Sequence, residues 1–218
     1  MRGGLYNPRP VDDVPVNGQL THGVTSNRMF DHSADLDAHT YMWDEVVRIA
    51  AGVYHLSPLY TRAMSAMALT ANVLYAAPYP MSRARTPANL VIEVTTLADP
   101  SNIRLGLYAD NGSCYPGARI TNGGVALGAT TGIKTVAYTT QVPKGLIWFA
   151  FISDSTPQMR GQGLEFLKLL GSVSALDGNE GGHYYKADTY GNLPDSFPSG
   201  ASPGGYFPGI AIEWATQP

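Results

Sequence analysis

The chain has 218 residues, a formal net charge of −3 and 14% charged residues, well below the roughly 25% that is typical of soluble domains. This charge gives no bulk attraction for nucleic acid, and no apolar run of roughly 18 residues predicts a membrane span. The single Cys114 excludes an internal disulfide and a cysteine-based metal site. Because the surface is so poor in charge, we expect much of it to be covered by partners or by other copies of the chain.

Residues 1–40 are predicted to form an extended N-terminal arm. Their apolar residues are sparse and follow neither a helical nor a strand period, and several prolines favour extended backbone. Ordering such a segment alone costs about 1–2 kcal/mol per residue, so we expect it either to be disordered or to lie along a neighbouring subunit. The apolar side chains that would anchor it there are Leu5, Tyr6, Val14, Leu20 and Phe30. The start of the arm lacks the apolar core of a secretory signal, so we expect synthesis in a cytoplasm.

The arm ends in a cluster of acidic and histidine residues. The candidate ligands for a divalent metal are Asp31, His32, Asp35, Asp37 and His39, above all where symmetry copies meet at an axis. The alternative is that these side chains cap turns and bind backbone amides. We favour the second interpretation, and we predict neither a metal nor a cofactor.

Residues 41–218 are predicted to form one all-β domain. In residues 41–56, Met42, Val46, Ile49 and Val53 recur at helical spacing, but the second half of this stretch fits a strand equally well. Beyond it, strand patterns recur every 8–15 residues or so, with Gly, Pro or Asn between them. This repetition is typical of an antiparallel sandwich or jelly roll.

Several of these patterns also assign the faces of the strands. In residues 103–109 the side chains alternate, so Ile103, Leu105 and Leu107 are predicted to share one face. Residues 146–153, LIWFAFIS, are apolar on both faces, which is typical of a central strand packed on each side. In residues 134–142 one face carries Val136, Tyr138 and Val142. Residues 163–171 form a further candidate strand, and residues 191–209, with four prolines and five glycines, are predicted to be a long, fixed surface loop.

The run from Val91 to Ser153 resembles a module of tailed-bacteriophage virion proteins. In that module a strand ending in RLGLY leads through DNG and YPG turns to a TTG-x-K turn and a GLIWFA strand. The matching positions here are Arg104–Tyr108, Asp110–Gly112, Tyr115–Gly117, Thr130–Lys134 and Gly145–Ile152. The segment PVNGQLTHGVTSNRMFDHSADLDAHTYM is similar to the linker of phage fibre and decoration proteins. The resemblance implies a jelly-roll-like antiparallel β-sandwich that assembles as a trimer.

The same resemblance implies a non-enzymatic structural protein on the outer surface of the virion. A head decoration or cement protein, bound to the major capsid protein or to other virion subunits through its arm, is our first expectation, because the chain is short and shows no coiled-coil or β-helical shaft. The alternative is a tail fibre or baseplate protein that recognises a host surface glycan. An enzyme acting on polysaccharide is the third possibility. Nothing in the chain matches a nucleophile elbow, a P-loop, His-Glu-x-x-His or a dinucleotide fingerprint.

Two groups of residues are candidates for partner or glycan contacts. Asp110, Asn111 and Tyr115 lie in IRLGLYADNGSCYPG, where acidic and aromatic side chains suit sugar recognition. The alternative is that Asx-Gly and Pro-Gly turns explain these residues by backbone geometry alone. Tyr184, Tyr185 and Tyr206 lie in an aromatic, glycine-rich region that we expect to contact another subunit. The residues expected to point outward or to be structural, and not to act as acids or bases, are Glu93, Glu165, Glu213, His55 and His183.

Overall fold

The computed structural model describes residues 53–57, 64–81, 83–162, 182–205 and 207–214, and these ranges contain antiparallel strands and no helix. The strands are β1 (Tyr54–Leu56), β2 (Ser65–Ala68), β3 (Val73–Met81), β4 (Pro87–Thr96), β5 (Asn102–Asp110), β6 (Pro116–Leu127), β7 (Gly132–Ala137), β8 (Gly145–Ser153), β9 (Gln158–Gln162), β10 (His183–Ala187), β11 (Ser202–Gly204), β12 (Phe207–Pro208) and β13 (Ala211–Trp214). The predicted all-β class is confirmed. The arm at residues 1–40 and the candidate strand at 163–171 lie outside the described residues.

The strands form two sheets. The seven-stranded sheet has the order β1-β13-β4-β9-β12, with β7 also paired to β4 and β2 to β9. The six-stranded sheet has the order β11-β10-β3-β8-β5-β6. In this second sheet β8 lies between β3 and β5, so the prediction that LIWFAFIS is a central strand is confirmed.

The main core contains apolar side chains from both sheets. Strand β4 contributes Leu90, Ile92 and Val94, and β8 contributes Ile147 and Phe149, each at most 2% exposed. The predicted shared face of β5 belongs to this core, as do the three apolar side chains predicted to share a face in residues 134–142. Burying one such side chain stabilises the fold by about 1.5–3 kcal/mol.

A second, smaller core lies on the other face of the six-stranded sheet. It contains Trp148 and Ile152 of β8, Leu74 of β3 and Tyr108 of β5, all at most 2% exposed. Strand β8 is therefore buried on both faces, as its apolar composition predicts. The main core lies on the opposite face of the sheet. Other residues must therefore shield this second core from solvent.

The strand boundaries resolve one open alternative and correct two sequence expectations. In the stretch 41–56, for which a helix and a strand fitted equally, residues Tyr54–Leu56 form strand β1, and the part before Val53 lies outside the described residues. Pro116 and Gly117 were expected in a turn, but they begin β6, because Pro116 pairs with Asp110 of β5; Phe197 also donates a backbone hydrogen bond to the Gly117 carbonyl at 2.9 Å. The surface loop at 191–209 includes strands β11 and β12 and buries Phe197.

Candidate functional site

The cover of the second core is built from residues 188–201, which we call the cover segment. Backbone amides hold it in place: Leu193 donates to Asn122 Oδ1 at 2.9 Å, and Arg119 donates to the Asp195 carbonyl at 2.8 Å. Leu193 and Phe197, 1% and 5% exposed, insert their side chains into the second core. The cover segment therefore closes the part of the outer face of the six-stranded sheet that surrounds Trp148 and Tyr108.

Close approach of the cover segment requires a glycine in β5. A Cβ atom at Gly106 would overlap the Leu193 side chain and the Thr121 carbonyl oxygen. The alternation of β5 had predicted that Gly106 faces the same side as Tyr108. The Leu193 side chain occupies the space that a side chain at position 106 would fill, so only glycine fits there.

Asp110 accepts hydrogen bonds with both of its carboxylate oxygens and so holds the turn at residues 110–117. Its Oδ1 accepts a hydrogen bond from Trp148 Nε1 at 2.9 Å, and its Oδ2 accepts one from the Gly112 amide at 2.8 Å. Asn111 Oδ1 accepts from the Ser113 amide at 2.8 Å. Gly112 has a φ of 90°, which confirms that the Asp-Asn-Gly turn needs a left-handed position. The carboxylate and amide oxygens proposed for a ligand thus bind the protein itself.

Tyr115 joins the turn to the cover segment. Its hydroxyl donates to the Pro198 carbonyl and accepts from the Ala201 amide, so both of its hydrogen-bonding roles are used. Its ring lies against the Tyr184 ring, with centroids 4.6 Å apart, and against Phe197 at 5.8 Å. Such pairs add about 0.5–1.5 kcal/mol beyond the area that they bury. Tyr115 therefore stabilises the cover.

Two further polar anchors were missed by the sequence analysis. The Tyr108 hydroxyl donates to the Pro194 carbonyl at 2.9 Å, and the Arg119 guanidinium donates to the Leu193 carbonyl and to the Asp195 carboxylate. Tyr108 and Arg119 match no sequence motif, so the sequence did not indicate that they bind another segment. Only the return of a segment more than 70 positions later shows what they bind.

Partial burial shifts the pKa of two side chains in this region. Burial raises the pKa of the Cys114 thiol, and the nearby Asp110 charge raises it further, so the reactive thiolate is disfavoured. Burial also raises the pKa of Tyr184. These groups are therefore poorly suited to act as nucleophile or base at neutral pH.

The structure thus brings together Asp110, Asn111, Tyr115 and Tyr184 from the predicted contact residues. Tyr185 lies on the opposite face of β10, near Tyr75 with ring centroids 6.4 Å apart, and it is 40% exposed. Tyr206, the arm anchors and the Asp/His cluster at residues 31–39 lie outside the described residues. Within the described ranges, no group of three His, Cys, Asp or Glu side chains is arranged to hold a metal ion.

A groove of about 360 Å³ opens on the outer face of the seven-stranded sheet. We call this feature the groove, and its lining includes Tyr54, Leu56, Met64, Val91, Glu93, Ile133, Arg160, Gly209 and Ala211. Ile133 is 53% exposed, and Tyr54 is 40% exposed. No local sequence pattern indicates the groove, because its lining comes from six separate parts of the chain.

The polar part of the groove is one ion pair. The Arg160 guanidinium donates to both Glu93 oxygens, with Nη2 to Oε1 at 2.7 Å and Nε to Oε2 at 3.1 Å. This hydrogen bonding lowers the pKa of Glu93 and raises that of Arg160. Glu93 therefore points outward as predicted, and it stays charged and paired at neutral pH. Glu213 accepts from Asn89 Nδ2 at 2.8 Å, and Glu165 lies outside the described residues.

His183 is structural, as predicted. It is 4% exposed and packs against the rings of both Tyr75 and Tyr185, with centroids 5.7 Å and 5.8 Å away. A Cβ atom at Gly204 would approach the His183 Nε2 atom to 2.6 Å, so β11 packs directly on this ring. Burial lowers the pKa of His183 to about 4.

The comparisons with known proteins find a likeness to solved structures and nothing else. No protein-family model matches the chain, and no curated protein matches it. One of the solved structures that it resembles contains the cysteine protease and lectin-like domains of Cwp84, a surface-layer-associated protein of Clostridium difficile, with 12% identity and a TM-score of 0.42. The likeness covers 74% of this chain and 36% of that one, so the chain spans about a third of the neighbour's length.

Proposed function

We propose that this chain is a non-enzymatic structural protein of a bacteriophage virion, and in the first place a capsid decoration or cement protein. The supporting observation is the distribution of exposed apolar surface. Six of the seven large apolar side chains that are exposed within the described ranges fall in two patches. Three of them lie at the groove, Tyr54, Leu56 and Ile133, and three lie where β4 and β6 end, Leu97, Val125 and Leu127, a set that we call the apolar corner.

Exposed apolar side chains grouped in this way are typical of surfaces that contact other proteins. A decoration protein acts by adding buried contact area between capsid subunits that internal DNA pressure pulls apart. A stable contact buries roughly 800 Å² on each partner, and a chain with 14% charged residues offers little charge that would have to lose its water there. If residues 1–40 form the predicted arm, they would add a tether to neighbouring subunits.

The geometry at residues 110–117 argues against a ligand site in that turn. The Asp110 oxygens and the Tyr115 hydroxyl already bind the protein, so a sugar would have to displace these bonds. Leaving a buried polar group unpaired costs about 1–3 kcal/mol. We therefore assign this turn to packing, and we expect partners to bind elsewhere on the surface.

Rebinding to capsids is the direct test of the decoration role. Capsids of the encoding phage are stripped of their outer proteins, mixed with the full chain and sedimented. We expect the full chain to co-sediment with the capsids and a chain lacking residues 1–40 to be lost from the pellet. Full binding without residues 1–40 would contradict the tether role of the arm. Binding only to tails or baseplates would contradict the decoration role and favour a tail protein.

A receptor-binding tail protein is the alternative function, and the groove decides how it is tested. Tyr115→Ala is a poor probe, because it would also disturb the cover. Tyr54→Ala changes an exposed ring beside the Glu93–Arg160 pair and touches no part of the second core. Glycan-array hits that disappear with Tyr54→Ala would favour a tail fibre or baseplate protein, and release of reducing sugar from host polysaccharide would favour an enzyme.

A further inference from the structure

We propose that Asn111 is a self-modifying site, at which the side-chain amide reacts with the next backbone nitrogen and is converted to a carboxylate. Asn111 and Gly112 form an Asn-Gly pair in the connection between β5 and β6. Because glycine has no Cβ atom, it leaves the attacking nitrogen unhindered. The inference goes beyond the proposed function and does not depend on it, since it concerns only the chemistry of this turn.

The turn holds the groups that this reaction uses. The nucleophile is the Gly112 nitrogen, whose N–H donates to Asp110 Oδ2 at 2.8 Å. The electrophile is the side-chain carbonyl carbon of Asn111, whose Oδ1 accepts from the Ser113 amide at 2.8 Å. This second hydrogen bond turns the Asn111 side chain forward along the chain, toward the Gly112 peptide group. Each reacting group therefore already contacts the group that assists it.

The chemical step balances with water as its co-reactant. The Gly112 nitrogen bonds to the Asn111 carbonyl carbon, its proton passes to Asp110 Oδ2, and the carbonyl electron pair moves onto Asn111 Oδ1. That electron pair then forms the carbonyl again, the bond from the carbon to Nδ2 breaks, and ammonia leaves with the proton that Asp110 returns. The product is a cyclic succinimide, and water opens it at either carbonyl to give aspartate or isoaspartate at position 111.

The neighbours of the reacting atoms lower the barrier in two ways. A backbone amide is a weak nucleophile until a base takes its proton, and a positioned base contributes about 10²–10⁴-fold in enzymes. The Asp110 carboxylate already lies within hydrogen-bonding distance of that proton, and Trp148 Nε1 fixes its other oxygen at 2.9 Å. An N–H aimed at an oxygen that becomes negative stabilises the transition state, and the Ser113 amide has this position.

The turn also leaves space for the cyclic intermediate and for water. Asn111, Gly112 and Ser113 are exposed. A Cβ atom built at Gly112 would meet no heavy atom within 4 Å. Ring closure and the attack of water therefore displace no packed side chain.

A second Asn-Gly pair, Asn122 and Gly123 in β6, provides a comparison inside the same chain. Asn122 Oδ1 accepts from the Leu193 amide at 2.9 Å, so its side chain is held by a residue 71 positions away. A Cβ atom at Gly123 would lie 3.0 Å from Leu90 Cδ1 and 3.3 Å from the Leu105 carbonyl oxygen, so this glycine is packed. Asn122 therefore reacts only when the cover segment and β6 open locally.

Conversion at Asn111 changes the turn itself. Both products add a negative charge beside Asp110, and isoaspartate also lengthens the main chain by a carbon atom. The same turn contains Tyr115, whose hydroxyl binds Pro198 and Ala201 of the cover segment. We therefore expect faster amide exchange at Ala201 in the converted chain than in fresh protein, and equal exchange would contradict this consequence.

The test follows both asparagines in one sample of the full chain. The folded protein is incubated at neutral pH in water enriched in heavy oxygen, and samples are digested and analysed by mass spectrometry that separates aspartate from isoaspartate. We expect Asn111 to give both products with heavy oxygen, and Asn122 to stay unconverted over the same time. Conversion of Asn122 at the rate of Asn111 or faster, or aspartate alone at position 111, would overturn the proposal.

The same incubation in guanidinium chloride shows whether the folded turn assists the reaction. Both asparagines precede a glycine, so we expect them to convert at similar rates in the unfolded chain. Asn111 should convert faster in the folded chain than in the unfolded one, because only the folded turn holds Asp110 and Ser113 in place. A slower reaction in the folded chain would mean that the turn protects Asn111, and the proposal would be wrong.

Asp110→Asn removes the base and keeps the shape of the side chain. We expect it to slow the conversion of Asn111 by about tenfold or more in the folded chain and to have no effect in guanidinium chloride. Fragment ions separate conversion at position 110 from conversion at position 111, and circular dichroism checks the fold. An unchanged rate in the folded variant would overturn the role of Asp110. If the variant does not fold, the comparison of folded with unfolded wild type decides the proposal.

Discussion

The outer faces of the two sheets differ in how they meet solvent. The cover segment closes part of the outer face of the six-stranded sheet and forms a second core around Trp148 there. The seven-stranded sheet keeps an open groove where Tyr54 and Ile133 are exposed. The difference shows that an aromatic cluster is a poor guide to a binding site by itself, because Tyr115, Tyr184 and Phe197 pack against the chain's own second core.

The largest expected effect comes from removing the central ring of the closed face. Trp148→Ala deletes a side chain that is 0% exposed and leaves Asp110 Oδ1 without its donor. We expect a loss of about 3–5 kcal/mol in the free energy of unfolding, measured by urea denaturation. Ile133→Ala on the open face is the control and should change stability by less than about 0.5 kcal/mol. Equal losses at the two positions would contradict the comparison.

The buried histidine gives the next largest effect. The pKa of His183 is lowered to about 4 in the folded chain, against 6.5 when exposed, so the unfolded state binds more protons between these values. His183 therefore contributes its full share of the free energy of unfolding above pH 6.5. As the pH falls to about 4, roughly 3 kcal/mol of that stability is lost.

Denaturation of the wild type and of His183→Gln at pH 7 and pH 4.5 measures this contribution. The carboxylates titrate in both chains. Only the difference between the two chains in the stability lost from pH 7 to pH 4.5 therefore reports on His183. We expect the variant to lose less stability on acidification. Equal losses of stability in the two chains would contradict the prediction, because they would mean that His183 is protonated in the folded chain at no cost.

A smaller effect tests the polar link between the turn and the cover segment. Tyr115→Phe keeps the ring but removes the hydroxyl that binds Pro198 and Ala201. We expect a loss of about 1–3 kcal/mol in unfolding free energy, because the Pro198 carbonyl and the Ala201 amide lose their partner. Faster amide exchange at Ala201 would place the effect in the cover. Tyr185→Phe should leave both measurements unchanged.

The smallest effect is expected for the ion pair of the groove. Arg160→Met removes the partner of Glu93 at a site where both side chains remain more than a third exposed. Exposed pairs contribute little to stability, so we expect the midpoint of thermal unfolding to stay within experimental error. A clear loss of stability would show that the open face is packed more tightly than its exposure indicates.

Much of the fold could be predicted from local pattern. The alternation in β5 and the doubly apolar run in β8 assigned both faces correctly, because burial on one or two sides acts directly on which residues a strand can carry. The turn at Asp110–Gly112 was also predicted from residues that accept a left-handed backbone. The candidate site was predicted only as a set of residues. Four of its members do come together, and the hydroxyl of one of them, Tyr115, binds a segment more than 70 positions away.

The sequence by itself determined that this chain forms β-strands joined by tight turns, since side-chain alternation and turn residues are local properties of the backbone. Only the tertiary structure decided which face is closed. The cover segment returns across β5 and β6, and Gly106 admits the Leu193 side chain that seals it. The groove likewise exists only after separate strands meet, because its apolar walls and its ion pair come from residues that no local pattern connects.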